Sequence, residues 1–361
     1  MNLPWKQKAT VGRELDPKLA IVTGEGSQIA VRRPEPASTP IPVWEVLPSV
    51  DRQGRPDYYG IPLLKEPVWI WSVPVYFWAG GVAGGSAVLG AALHGKRKMR
   101  KLASACRWLS FLGTTVGPAL LTWDLGKKTR FLNMLRVFRP TSPMSIGSWA
   151  LAGSGMLSTI ALLQGDRPSA RPTNMALAGG GIVLSGYTGV LLGNTANPLW
   201  WQTRRTLPIL FTASAMASTA AVLEMLPLKK REERVVQVFG TIGKVGEAAG
   251  MMAMEKIAGR VPEVANPFRE GKCGFLWQSA RGLVAAGIIL NLLPGKSPFK
   301  RRLGGALTTV GALCLRYALL ESGKCSARDP QAVFEAQRAH QDAVPMQQNG
   351  GELQGEYPQF I

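Results

Sequence analysis

Between Pro67 and Gly323 the chain alternates apolar runs of roughly 17 to 26 residues with short basic or proline-rich connectors, and each run is long enough to cross ~30 Å of hydrocarbon as a helix. Eight such runs stand at about 68–93, 102–123, 146–163, 176–192, 207–226, 235–257, 275–293 and 303–320. In hydrocarbon a helix satisfies its own backbone hydrogen bonds, so runs of this length read as helices rather than strands. The run at 235–257 carries Lys244, Glu247 and Glu255, and on hydropathy alone it also fits an amphipathic helix lying on the membrane surface. The average composition, 46% hydrophobic and 18% charged, would suit one or two soluble domains and conceals this partition.

A formal charge of +19 raises the question of nucleic acid. The cations lie mainly in the connectors, as in Lys96, Arg97, Lys98, Arg100 and Lys101, where basic residues beside a spanning helix meet anionic lipid and bias topology. That placement argues for membrane lipid and against nucleic acid. The cation balance between the two sets of loops is close to even, and the dense cluster after the first run tips the expected orientation toward an N-terminus outside the inner (plasma) membrane. No charged n-region, apolar h-region and cleavage site open the sequence, so the first span is expected to act as its own insertion signal.

The ligand inventory bounds the chemistry. Cys106, Cys273, Cys314 and Cys325 have none of the close spacing an iron–sulfur cluster needs, and His94 and His340 are badly placed to clamp a membrane haem. The expectation is a chain with no haem, no iron–sulfur cluster and no metal site of its own.

Small residues mark where helices meet: GGVAGGS at 80–86, then Gly153, Gly155, Gly179 to Gly181, Ala213, Ala215 and Ala217. An internal repeat is also visible. Laying Pro74 on Pro208 aligns PVYFWAGGVAGGSAVL with PILFTASAMASTAAVL, matching Phe77 to Phe211 and Ala83 to Ala217. Four helices per copy predict an all-α integral membrane fold, eight transmembrane helices arranged as two four-helix bundles of the same orientation. The expected layout is a polar N-terminal extension (1–65), a first bundle (66–193), a second (194–325) and a polar C-terminal tail (326–361). Tyr76 and Trp78 of the first copy become Leu210 and Thr212 in the second, so polar function is expected in the first bundle.

After the second run comes DLGKKTRFLNMLRVFRPTSPMSIGSW, preceded by GGVAGGS and followed by GYTGVLLGNTANPLW from Gly186 and RYALLESGKCSARDP from Arg316. In this order, these motifs resemble those of the NrfD and polysulfide reductase family of quinone-interacting membrane subunits. The resemblance covers roughly residues 66 to 330. It implies a subunit without redox metals that exchanges electrons between membrane quinone, menaquinone or ubiquinone, and an iron–sulfur partner of the four-cluster ferredoxin-like kind. That partner in turn serves a catalytic subunit, often a molybdopterin oxidoreductase, in respiration such as anaerobic respiration.

Quinone reduction takes two electrons and two protons, so a site needs hydrogen-bond donors at the carbonyls, an apolar slot and a proton route. By the resemblance, Gly186 and Tyr187 match the family's glycine–tyrosine pair at the quinone, and Tyr76 stands where a relative places a quinone-contacting histidine. Three roles are open to Asp124: accepting a proton from the site, pairing with Arg130, or capping a helix. Arg130, Arg136 and Arg139 read as a docking face for protein or lipid. Glu224, Lys244, Glu247, Arg281 and Arg316 fall in or near the later spans, where unpaired charge is costly, so they read as a static ion network or a proton path. Two competing readings remain beside the quinone-linked one, a passive membrane anchor and a proton-translocating or transport protein. A ferredoxin-like neighbour would favour the quinone-linked and anchor readings over transport, and quinone retained through purification separates those two.

Overall fold

The computed structural model describes residues 63–125, 128–292 and 297–343, together with two short strands nearer the N-terminus. The chain divides into two compact units, Met1–Tyr58 and Tyr59–Ile361. In the first, β1 (Glu14–Asp16) and β2 (Ile21–Thr23) pair antiparallel with Leu15 opposite Val22.

The second unit is helical. Its long helices are α1 (Ser72–Leu93), α2 (Arg100–Asp124), α3 (Pro143–Gln164) and α4 (Arg171–Gly193), then α6 (Leu207–Glu224), α7 (Lys230–Ala258), α9 (Gly271–Leu292) and α10 (Pro298–Arg328). Short helices α5 (Pro198–Gln202) and α8 (Pro262–Ala265) lie between them, and α11 (Pro330–Ala343) ends the described chain. Each apolar run of the sequence falls on one long helix. Six helical stretches among the described residues are long and apolar enough to cross a membrane: Ser72–Leu93, Pro143–Gln164, Pro168–Gly193, Leu207–Glu224, Gly271–Asn291 and Pro298–Arg328.

The other two long helices, α2 and α7, are inside out relative to a soluble amphipathic helix. On α7 the exposed positions include Val238, Ile242, Val245 and Met252, whereas Lys244 and Glu247 are buried. On α2 Trp108, Leu112 and Val116 face outward while Arg107, Ser110 and Thr114 face in. A helix lying on a membrane surface would turn its charges to water. Here the polar groups face inward, and several of them find partners there. Arg107 and Arg100 hold Asp166 at 2.8 and 2.9 Å, tying α2 to the turn after α3, and Thr114 shares a 2.9 Å hydrogen bond with Ser158 of α3.

α1 packs on α2 and α4, and α3 on both; α6 packs on α7 and α10, and α9 on both. The two sets meet where α1 and α4 pack on α6 and α10 packs on α1. The contact between α1 and α6 follows the sequence repeat. Phe77 and Phe211 meet edge to face at 5.9 Å, Gly81 lies against Ala215, and Gly85 lies against Thr219, whose hydroxyl donates to the Val82 carbonyl at 3.2 Å. Each pair joins residues the repeat aligns. Such contacts arise between parallel helices packed in register. Small residues permit the approach: a Cβ on Gly84 would overlap the Gly181 backbone of α4, and one on Gly181 would crowd that of Gly84.

One end of the bundle is fastened by residues after α4. Asn197 donates to the Gly323 carbonyl at 2.6 Å and Trp200 to the Leu319 carbonyl at 3.0 Å, with Trp200 fully buried against Gly323. At this end a disulfide joins Cys273 of α9 to Cys325 of α10, and Tyr317 donates to the Trp71 carbonyl before α1. α10 continues past residue 326 to Arg328, and Ala332 and Val333 of α11 are buried.

Before α1, Glu66 receives two hydrogen bonds from Arg328, at 2.8 and 2.7 Å, which hold its carboxyl below the usual range. Because the folded-state value is depressed, the pair supports the fold above the ordinary carboxylate range and loses that support as pH falls through the lowered value. Both side chains are substantially exposed, so the contribution is small.

Candidate functional site

The residues from Gly186 to Gly193 let α4 approach the start of α6 closely. A Cβ on Gly186 would sit 2.9 Å from Thr212 Oγ1, and one on Gly189 would press on the Leu207–Pro208 backbone. With α4 held there and α3 beginning at Pro143, a cavity of about 660 Å³ opens between α4, the start of α3 and the loop ahead of it. Gly186 and Tyr187 line it, as do Ile146, Ile182, Val183 and Val190 from the helices and Pro140 and Thr141 from the loop. Ile182, Val183 and Val190 are exposed on the outer face of α4, so the cavity's apolar wall continues onto that face. Its polar lining residues are few: Tyr187, Thr141 and Asn194.

Tyr187 is buried with its phenol ring laid on Gly147 of α3, where any Cβ would overlap Cζ and Oη. Its side chain neighbours that of Tyr76 of α1. Tyr76 is buried behind it, against Gly117 of α2 and 5.7 Å from the Phe77 ring, and does not line the cavity. Tyr76 therefore borders Tyr187 and not the cavity.

Asp124 also stands off the cavity. It is the last residue of α2, half-buried, and its carboxylate accepts from the Ile70 backbone N–H at 3.2 Å, anchoring the segment before α1. The loop that follows contains a 3₁₀ stretch, Lys128–Leu135, and exposes Leu132, Val137 and Phe138. Arg136 and Arg139 are exposed on it, with the Arg139 backbone N–H donating to Ser145 Oγ at 3.0 Å. Arg130 lies on the 3₁₀ stretch, and its side chain is outside the described residues.

A second polar cluster lies among α6, α7 and α10. Lys244 Nζ is 3.7 Å from Glu224, and Glu247 lies beside Ser214, Lys244 and Arg316 with neither carboxylate oxygen hydrogen-bonded. The Arg316 guanidinium lies 4.1 Å above the Phe211 ring and donates to the Phe211 carbonyl at 3.4 Å. All four charges are at most 1% exposed, and two cations balance two anions. Arg281 is not among them: it pairs with Glu255 at 2.9 Å near the surface. Arg301 bonds Glu233 and caps the Glu224 and Leu226 carbonyls at the end of α6.

No group of three or more His, Cys, Asp or Glu among the described residues could hold a metal ion. The polysulfide reductase family model, NrfD_2, matches residues 56–328, most of the chain. The chain belongs to the NrfD polysulfide reductase family. A search of curated proteins finds no match. NrfD membership and the six apolar helices make it a multi-pass membrane protein, a membrane subunit that pairs with other subunits of a respiratory oxidoreductase. The 660 Å³ cavity lies wholly inside the NrfD match, as do the four buried charges.

Sequence reasoning named Gly186 and Tyr187 but missed Gly147, Thr141 and Asn194. All three stand within the motifs that carried the resemblance, yet nothing in their residue types sets them apart.

Proposed function

We propose that this NrfD-family chain exchanges electrons between membrane quinone and an iron–sulfur partner, with quinone held in the cavity at Tyr187. The observation that carries the reading is a buried tyrosine, Tyr187, in the lining of an apolar cavity that continues onto the outward face of α4. Volume and lining fit: about 660 Å³ falls in the range of small-molecule sites, and such sites are apolar with a few placed polar groups. Quinone supplies the two-electron, two-proton chemistry. Tyr187 presents a donor to a carbonyl, Gly147 leaves room for its phenol, and Ile182, Val183 and Val190 leave a path for an apolar tail from the bilayer.

All eight long helices cross the membrane on this reading, as two four-helix bundles of residues 66–193 and 194–325. Support comes from the apolar outward faces of α2 and α7 and from the in-register contact of α1 with α6. The Cys273–Cys325 disulfide lies at the end of the bundle that carries Asn194 and Tyr187, which favours an oxidising compartment on that side and an N-terminus outside.

Tyr187→Phe tests the site. Quinone-linked turnover of the complex is expected to fall about 100-fold or more, the usual worth of a positioned proton donor, while dye-linked activity of the catalytic partner survives. Equal quinone turnover in variant and parent would remove Tyr187 from the site.

The loop from Asp124 to Pro143 is the proposed seat of the partner, a four-cluster ferredoxin-like subunit serving a molybdopterin-type catalytic subunit. It forms part of the cavity wall, and electron transfer needs cluster and quinone close together. Exposed charges steer association more than they hold a fold. Arg130→Glu with Arg136→Glu should therefore release the partner from the purified complex while the membrane subunit remains inserted. Retention at normal stoichiometry would place docking elsewhere.

A further inference from the structure

The far end of the first four helices holds a cavity that the electron-transfer reading does not use. Arg171 and Tyr187 lie on one helix, α4, sixteen positions apart, or roughly 24 Å along its axis. There α1 ends, and Gly95, at φ +78°, turns the chain through Arg97–Met99 into α2. That turn, the turn after α3 and the start of α4 surround about 870 Å³.

Four cations line the space, Lys96, Arg97, Arg100 and Arg171, against one carboxylate, Asp166. Asp166 is already committed: it bridges Arg100 and the buried Arg107, which fixes Arg100 in the wall. Lys96, Arg97 and Arg171 have no ion pair among the described residues. His94, also in the lining, keeps a buried Nδ1 without a hydrogen-bond partner. The remaining wall is apolar and outward: Ala92 is exposed, and Met175 is 61% exposed one turn along α4 from Arg171.

A basic rim above an apolar wall open to the bilayer has the two-part chemistry of a phospholipid. A free anion would make use of the rim alone. We propose that this cavity binds an anionic phospholipid, its phosphate held by Arg97, Arg100, Arg171 and Lys96 and its acyl chains lying along Ala92 and Met175. Basic pockets between spanning helices suit anionic headgroups, and each nearby cation adds to the attraction.

The test uses full-length protein purified in neutral detergent, with phosphatidylglycerol, phosphatidylcholine and inorganic phosphate as probes, read by native mass spectrometry and thermal unfolding. Phosphatidylglycerol should bind at low stoichiometry and raise the unfolding temperature, and the other two should do neither. Arg97→Gln with Arg171→Gln should weaken phosphatidylglycerol binding about tenfold or more. Arg231→Gln with Arg234→Gln removes the same charge from exposed positions of α7 at the same end and should change it less than about twofold. Lys96→Gln, at an exposed turn, carries the same test should the first double variant aggregate. Equal binding of phosphatidylcholine, equal losses in the two double variants, or full competition by inorganic phosphate would each overturn the proposal.

Discussion

Alanine at position 147 is expected to abolish quinone-linked turnover although every hydroxyl in the site remains in the chain. The Tyr187 ring rests on Gly147 so closely that a single added methyl would overlap its Cζ, Cε2 and Oη atoms. The phenol must leave its position, since the methyl is fixed to the α3 backbone and cannot give way. A misplacement of about 1 Å at a reacting group can cost 100-fold, and a lost proton donor costs as much again or more. Quinone-linked turnover of Gly147→Ala should therefore fall by more than about 100-fold, at or below that of Tyr187→Phe. Dye-linked activity of the partner should be untouched. Turnover within about threefold of the parent would show that the phenol's placement does not matter, and the proton-donor role would fail with it.

The second large effect concerns stability. Lys244→Met should destabilise the protein by about 3–5 kcal/mol, because it strands Glu224 and Glu247 in the interior with one cation fewer. Double replacement, Lys244→Met with Glu224→Gln, removes one charge of each sign and should recover most of the loss. Unfolding in detergent, followed by tryptophan fluorescence, measures both. If the cluster only fixes how α6, α7 and α10 pack, the double variant should also recover quinone-linked turnover. Restored stability without restored turnover would favour a proton path through these residues.

The helices were legible because hydrocarbon imposes a length and a composition on anything that crosses it. Their ends were less so. The run expected at 303–320 belongs to a helix that continues to Arg328, since Glu321, Lys324 and Arg328 find partners at or near the bundle end and cost little there. The repeat read from Pro74 and Pro208 carried more than packing: its aligned residues touch one another across α1 and α6.

The candidate site was legible in part. Gly186 and Tyr187 line a cavity, whereas Tyr76 is buried off it beside Tyr187, and Asp124 holds the backbone at Ile70. Arg281 belongs with Glu255, not with the buried charges. These distinctions depend on which helix faces which. Asp124 and Ile70 lie 54 positions apart and Arg281 and Glu255 lie 26 apart, so no local pattern encodes their meeting.

Photolabelling with a reactive short-chain quinone tests the central claim most directly. The purified complex is irradiated with the probe, with and without excess natural quinone, and labelled peptides are mapped by mass spectrometry. The expected labels fall on residues 140–146 and 182–194, and they disappear when natural quinone competes. Labels confined to other helices, or labels on these segments that natural quinone does not displace, would contradict a quinone site at Tyr187.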